Sequence, residues 1–272
     1  MPEESAAPVE LETRDEGTGP AVLLLHGVGG NHALWNTVTP PFSSGHRLLC
    51  PDLRGHGRTA SPPGSTYSLA ELEGDVLAYL DARSVPNVHL IGLSGGALLA
   101  LRLTLDHPER VRSLTMISGA AYIDPHTRSV AQRWEEIYRA EGPDALALRM
   151  LKDLYYPDWI EAHLDFADQI RAIVPQLDLA PALEWAKATL QFDERKRIAS
   201  VDRPTLIVQA MDDQVIDASH GRILRQSIAG AQIRIFAQTG HMIPVERPAE
   251  TGEALAKFLT EVEGNGPNSG PA

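Results

Sequence analysis

The sequence predicts an α/β protein in which one mostly parallel sheet is covered by helices on both faces. Short apolar segments rich in β-branched residues alternate with longer segments that carry apolar residues at helical spacing. This alternation stops near residue 120 and resumes near residue 204. The length of 272 residues suits one such domain with an insertion. We therefore expect a core formed by residues 1–121 and 199–263, interrupted by a helical insertion at 122–198.

The first half of the chain contains four predicted strands and two predicted helices. An apolar run ends at residues 23–25, and further strand segments follow at 47–51, 87–91 and 111–117. Two helices complete this half: one opens with the capping box of Ser68 and Glu71 and extends through Ala82, and the other covers 97–103. Strands that alternate with helices in this way are typical of a parallel sheet.

The second half begins with the insertion and then returns to the sheet. From 122 to 198 apolar residues recur at helical spacing, and Pro143, Pro157, Pro175 and Pro181 divide the segment into about four helices. Strands are predicted at 204–209 and 232–237, with one helix at 217–228 and a final helix after His241. Residues 264–272 are rich in Gly, Pro and Ser and are expected to form a flexible tail.

The segment Gly92-Leu93-Ser94-Gly95-Gly96 joins a predicted strand to a predicted helix and matches the pattern Gly-x-Ser-x-Gly. Such a turn is so tight that Cβ atoms two residues either side of the serine would collide with neighbouring backbone, so glycine is favoured there. The serine also lies at a helix N-terminus, where free N–H groups and the helix dipole favour negative charge. Ser94 is therefore the candidate nucleophile.

Two further loops follow predicted strands in the same half of the chain. Residues 26–30 read His-Gly-Val-Gly-Gly, and residues 51–58 read Pro-Asp-Leu-Arg-Gly-His-Gly-Arg. Together with the Gly-x-Ser-x-Gly turn, and in this order along the chain, these loops match motifs of the α/β-hydrolase superfamily. The chain resembles that superfamily over about residues 22–259. The resemblance implies the α/β-hydrolase fold, with the insertion as a helical lid over the nucleophile. The chain is most similar in appearance to the small bacterial esterase and enol-lactonase branch.

The resemblance also implies an acid and a base that follow the nucleophile in the order Ser, Asp or Glu, His. Asp213 holds the acid place after the strand at 204–209, and Asp212 is the next candidate. Asp124 would serve if the acid came from a different strand end. The Gly-His pair after the last strand makes His241 the candidate base.

An oxyanion hole needs two N–H donors near the nucleophile. By position in the family, those donors are the backbone N–H groups of Val28 and Gly95. The predicted lid is the most aromatic part of the chain, and some of its aromatic side chains are expected to line an apolar pocket. The candidate substrate-binding residues are Trp35, Leu93, Trp134, Tyr138, Trp159 and Met242.

The composition excludes several classes of partner. A net charge of −12 argues against nucleic acid or an anionic membrane. The lone Cys50 excludes an intramolecular disulfide and suits a reducing cytoplasm. The first residues resemble no signal peptide, and no apolar stretch is long enough to span a bilayer. We expect a small-molecule substrate, with no metal site and no cofactor, and the oligomeric state stays open.

The expected reaction depends on the identity of the residue at the centre of the turn at 92–96, which is Ser94. Dehalogenase and epoxide-hydrolase members of the family use Asp at this place, so Ser94 argues against both. A serine activated by histidine predicts hydrolysis of a carboxylic ester or lactone through an acyl-enzyme. Carbon–carbon bond hydrolysis and cofactor-free haloperoxidase chemistry use the same residues and remain alternatives. So does a non-hydrolytic binding protein or cyclase of this fold.

Overall fold

The computed structural model describes residues 7–62, 65 and 67–264. Apart from Gly264, which ends the last helix, the predicted tail lies outside these residues. The described residues form a seven-stranded sheet with the strand order β1-β3-β2-β4-β5-β6-β7. The strands are β1 (Thr13–Glu16), β2 (Ala21–Leu25), β3 (Arg47–Pro51), β4 (Val88–Leu93), β5 (Val111–Ile117), β6 (Thr205–Ala210) and β7 (Gln232–Phe236).

All neighbouring strands pair in parallel except β1, which runs antiparallel to β3 at the edge of the sheet. The sequence predicts the six parallel strands but not β1. Its residues, Thr-Arg-Asp-Glu, are polar, and polar residues are common on an edge strand. The predicted mostly parallel sheet is confirmed.

Within the described residues the α-helices are α1 (Pro40–Ser43), α2 (Leu69–Ala82), α3 (Gly95–Asp106), α4 (Pro125–Glu141), α5 (Pro143–Leu154), α6 (Pro157–Ala162), α7 (Leu164–Ile173), α8 (Ala180–Thr189), α9 (Ser219–Ser227), α10 (Ile243–Glu246) and α11 (Pro248–Gly264). Five of them, α4 to α8, lie between β5 and β6, where the sequence predicts about four.

Helices cover both faces of the sheet because successive strand residues point to opposite sides. In β2, Leu23 and Leu25 pack with α2, α3 and α9 in one buried cluster. Their neighbours Val22 and Leu24 pack with α1 and α11 in another. No helix of the described residues is long and apolar enough to cross a membrane.

The segment from α4 to α8 leaves the core and returns to it at neighbouring points. Ile123 N donates to Phe192 O at 3.0 Å, and Glu194 N donates to Ala121 O at 2.7 Å. An isolated antiparallel bridge also pairs Tyr122 with Asp193. Because the two ends of this segment lie side by side, β5 and β6 can pair directly in the sheet. We call residues 122–193 the helical segment.

A buried ion pair fixes the loop after β3. Arg54 is fully buried and donates to both carboxylate oxygens of Asp75 in α2, at 2.8 and 2.7 Å. Asp75 also accepts from Val9 N at 2.8 Å, and Arg54 lies 3.3 Å from the carboxylate of Glu71. Two parallel bonds of this kind match the planar guanidinium to the carboxylate.

We expect Asp75→Asn to lower the free energy of unfolding by about 3–5 kcal/mol, because it leaves the buried guanidinium of Arg54 without its main partner. Urea unfolding at neutral pH measures this difference. Asp168→Asn is the matched control, since Asp168 pairs with Arg171 on the surface with its side chain 73% exposed. The control should change stability by less than about 1 kcal/mol. Equal losses in the two variants would contradict the argument.

Candidate active site

The turn between β4 and α3 holds Ser94 in a strained backbone conformation. Its φ is 54° and its ψ is −119°, a region that residues with a side chain rarely adopt. The flanking glycines allow this turn through close backbone contacts. A Cβ on Gly92 would lie 2.2 Å from Gly96 O, and a Cβ on Gly96 would lie 2.3 Å from Leu25 O. The glycines are therefore required by the packing of α3 against β2 and β4.

Two of the predicted residues meet directly. The Nδ1 atom of His241 lies 2.8 and 3.0 Å from the two carboxylate oxygens of Asp213. An ionised carboxylate only accepts, so Nδ1 carries the proton and Nε2 of the neutral ring is left as an acceptor. Both side chains are buried, and Asp213 also accepts from the N–H groups of Val215 and Ile216 at 2.8 and 2.9 Å. The carboxylate is thus held rigidly against the imidazole.

The two alternative acids lie elsewhere. Asp212 accepts from Gln238 N at 2.9 Å in the loop after β7. Asp124 accepts from Thr127 N at 2.7 Å, which caps α4, and it lies 3.4 Å from His220 Nε2. Of the three candidate acids, the described structure brings only Asp213 to His241.

Ser94 and His241 line the same cavity. Within the described residues, Ser94 Oγ forms no hydrogen bond, so the hydroxyl is available to a ligand in that cavity. Hydrogen bonds between a nucleophile and its base are commonly long in a ligand-free enzyme and shorten when substrate binds.

Two backbone donors flank Ser94. Neither the N–H of Val28 nor the N–H of Gly95 has an acceptor in the described part of the chain, and Gly95 is the first residue of α3. A Cβ on Gly95 would lie 3.0 Å from Val28 Cγ2, so these two residues are direct neighbours. Unpaired N–H groups at a helix N-terminus favour an anion or a developing oxyanion.

His26 supports the loop that carries Val28. Its Nδ1–H donates to Gly27 O at 2.8 Å, and its Nε2 accepts from Leu53 N at 2.9 Å. Burial lowers the pKa of His26 to about 3, so the ring is neutral and can make both bonds. The side chain therefore ties the loop after β2 to the loop after β3.

Trp185 of α8 also supports this region, and the sequence offers no signal that sets it apart from the other aromatic residues of the helical segment. It is fully buried and packs edge-on against His56 and His26, with ring centroids 5.2 and 6.2 Å apart. A Cβ on Gly95 would lie 3.1 Å from its Cζ2 atom. The helical segment thus contacts the proposed oxyanion donors directly.

Glu246 connects the loop that carries His241 to the helical segment. The sequence alone does not predict this role. Its carboxylate accepts from Gly240 N at 3.0 and 3.1 Å and from Tyr156 N at 3.3 Å. Burial raises the pKa of Glu246, because its charged form is poorly solvated there. The backbone of Met242 adds a bond to Leu154 O at 3.1 Å.

The cavity above Ser94 has a volume of about 540 Å³, within the usual range for small-molecule sites. Of the predicted substrate-binding residues, Leu93, Trp134 and Met242 line it. The other three do not belong to its wall: Trp35 is buried in the sheet core, Tyr138 packs with α5, and Trp159 stacks on Tyr155 and His163. Trp35 fills the interior, whereas Tyr138 and Trp159 are only partly buried and pack against other residues of the helical segment.

Several wall residues were not predicted. Tyr155 and Phe166 belong to the wall, although the sequence marks them only as lid aromatics. Aliphatic residues supply much of the remainder, including Leu98, Met150 and Ile170. No group of three or more His, Cys, Asp or Glu side chains among the described residues is arranged to hold a metal ion.

Comparisons with known proteins agree with this architecture. A family model described as alpha/beta hydrolase fold matches residues 20–248. RutD of Klebsiella pneumoniae, which carries the name carbamate hydrolase, is 32% identical over 82% of this chain and 84% of its own length. The 2-hydroxymuconate semialdehyde hydrolase of a Pseudomonas species is 26% identical over 95% of this chain and 93% of its own.

A solved structure gives the same result. The enol-lactonase of Burkholderia xenovorans matches with a TM-score of 0.85 and 27% identity, over 93% of this chain and 97% of that one. The chain therefore belongs to the α/β-hydrolase family, and it is a hydrolase of that fold. The predicted fold class and the family resemblance are confirmed.

We expect Glu246→Gln to alter the pH dependence of stability. Because burial raises the pKa of Glu246 above its ordinary value of 4.5, the folded state favours the protonated carboxyl. Wild type should therefore lose stability relative to Glu246→Gln as the pH rises from about 4.5 through the folded-state pKa. Urea unfolding at a series of pH values measures the difference.

The control is Glu250→Gln, which changes an exposed carboxylate in α11. Its stability difference from wild type should stay nearly constant over the same pH range. A constant difference for Glu246→Gln as well would mean that the buried carboxyl is not the group that titrates.

Proposed function

We propose that the protein is a serine hydrolase that cleaves a carboxylic ester or lactone of a small, largely apolar molecule through an acyl-enzyme. Ser94 is the nucleophile, His241 the general base, and Asp213 the acid that holds the imidazole. The contact between His241 and Asp213, beside a cavity that Ser94 also lines, carries the proposal.

The reaction follows from these contacts. As Ser94 Oγ attacks the substrate carbonyl carbon, its proton passes to Nε2 of His241, and Asp213 stabilises the resulting imidazolium. The carbonyl oxygen becomes an oxyanion that accepts from Val28 N–H and Gly95 N–H. When the carbon–oxygen bond of the ester breaks, the leaving alkoxide takes the proton from His241.

The second half of the reaction repeats these steps with water. His241 removes a proton from water as the water oxygen attacks the acyl carbon. Collapse of the second oxyanion then breaks the bond to Ser94 Oγ, which takes this proton back from His241 as the acid is released. In a lactone the leaving alcohol stays attached to the acyl group, so one hydroxy acid is the product.

In this proposal the helical segment is the lid. It supplies most of the cavity wall through side chains such as Trp134, Met150 and Phe166, and none of the proposed reacting groups. The lid therefore sets substrate preference. Its contacts through Trp185 and Glu246 also support the positions of the reacting groups.

Carbon–carbon bond hydrolysis is a second candidate, favoured by the similarity to the 2-hydroxymuconate semialdehyde hydrolase. It would use the same Ser94, His241 and Asp213, but the leaving group would be a carbon atom stabilised by a neighbouring ketone. A panel of short esters, lactones and vinylogous diketones distinguishes the two. Preferential turnover of diketones would support the second candidate.

We expect Ser94→Ala and His241→Ala each to lower kcat for p-nitrophenyl butyrate by at least about 1,000-fold, because residues that act as one unit are each indispensable. Release of p-nitrophenol measures the rate, and circular dichroism checks that both variants are folded. Wild type should also react with a small serine-directed phosphonate at Ser94. Residual activity within about tenfold of wild type would contradict the mechanism.

Asp213→Asn should lower kcat far more than Asp212→Asn. Loss of the carboxylate beside Nδ1 removes the group that selects the tautomer of His241, which costs about 10,000-fold in a related mechanism. Asp212 bonds to Gln238 N instead, so its change should cost less than about tenfold. If Asp212→Asn lost more activity than Asp213→Asn, Asp212 rather than Asp213 would be the acid.

A further inference from the structure

The cavity wall carries no full charge. None of its residues in the described part of the chain is Asp, Glu, Lys or Arg, and its titratable members are His241 and Tyr155. Burial raises the pKa of Tyr155, which keeps its hydroxyl neutral. A ligand in this cavity therefore meets no cation that could pair with a carboxylate.

Three polar side chains of the wall are already engaged within the protein. Thr127 Oγ donates to Val215 O at 2.8 Å, and Thr189 Oγ donates to Ala186 O at 2.6 Å. The indole N–H of Trp134 donates to Asp153 at 2.8 Å. Besides the two N–H groups beside Ser94, the donors that remain are uncharged and include the hydroxyl of Tyr155 and the side-chain amides of Asn31 and Gln169.

Two arginines that neighbour wall residues in the sequence, Arg128 and Arg149, are engaged, and Arg171, next to Ile170, pairs with Asp168 on the surface. Arg149 pairs with Asp153 through two bonds of 2.8 and 2.7 Å, and Arg128 donates to Leu190 O at 2.8 Å. The groups behind His241 are the carboxyls of Asp213 and Glu246, and neither can pair with an anion.

The mouth of the cavity is apolar as well. Ile173 and Leu177 belong to the wall, yet their side chains are 51% and 48% exposed. They mark the place where the cavity opens to solvent, at the end of α7. An acyl chain or ring that reaches this opening would thus contact the aliphatic side chains of Ile173 and Leu177.

From the charge-free wall we infer that the substrate is an electrically neutral ester or lactone with an extended apolar group, and that anionic analogues are rejected. This inference rests on the proposed hydrolase function. Burial of a carboxylate without a partner is strongly unfavourable, and a neutral chain of the same length pays no such penalty.

The test compares three p-nitrophenyl esters whose acyl chains have the same six-carbon backbone: the hexanoate, the half-ester of adipic acid, and the methyl ester of that half-ester. The half-ester carries a carboxylate, and its methyl ester has similar polarity without charge. At about 0.15 M salt, which screens the long-range field, kcat/KM for the half-ester should be at least about 100-fold below that for the hexanoate. The methyl ester should stay within about tenfold of the hexanoate.

A cation placed at the mouth should reverse part of this preference. Leu177→Arg should raise the ratio of kcat/KM for the half-ester to that for the hexanoate by about tenfold. Leu148→Arg is the matched control, because this substitution adds the same charge outside the cavity wall. Leu148 lies in α5 and is 44% exposed. This control should leave the ratio within about twofold of wild type.

Two results would overturn the inference: equal turnover of the half-ester and the hexanoate, or an equal loss for the half-ester and its neutral methyl ester. Binding of the three esters to the Ser94→Ala variant gives the same comparison without turnover. Quenching of tryptophan fluorescence measures this binding. Failure of wild type to hydrolyse any ester or to react with the phosphonate would refute the proposed function. The binding series would then still decide whether the cavity rejects the anion.

Discussion

The close approach of α3 to the strands beneath it is the constraint on which the candidate site depends. Because Gly96 has no Cβ, the start of α3 lies against the carbonyl groups of Leu25 and His26. The same packing places Val28 beside Gly95, the residue that follows Ser94. A side chain at position 96 would separate the loop after β2 from the helix, and Val28 would move away from Gly95 and Ser94.

The sequence predicts the sheet and points to the three proposed active-site residues, because each of these features has a recognisable local pattern. Buried parallel strands read as short apolar runs, and Ser94, Asp213 and His241 each follow such a run in a loop with a recognisable pattern. The edge strand β1 has no such run. Its place is decided by pairing with β3, which lies more than thirty residues further along the chain.

The supporting residues and the cavity wall could not be predicted in the same way, because they depend on contacts between distant segments. Glu246 meets Tyr156 across ninety residues, and Trp185 reaches the loops of His26 and His56 from α8. Whether an aromatic residue lines a pocket is equally a matter of packing. Trp134 and Tyr138 lie one turn apart on α4, yet only Trp134 contributes to the wall.

The paired ends of the helical segment have a consequence for how this protein can diverge. Since residues 121–123 are bonded to 192–194, the intervening chain forms a loop that is already closed at its base. The entropy lost on closing such a loop grows only slowly with its length, so helices can be added or removed inside it at small thermodynamic cost. Selection can therefore enlarge or shrink the binding chamber by insertion and deletion. The bonds at the two ends, Trp185 and the backbone that meets Glu246 are the parts that such changes must leave in place.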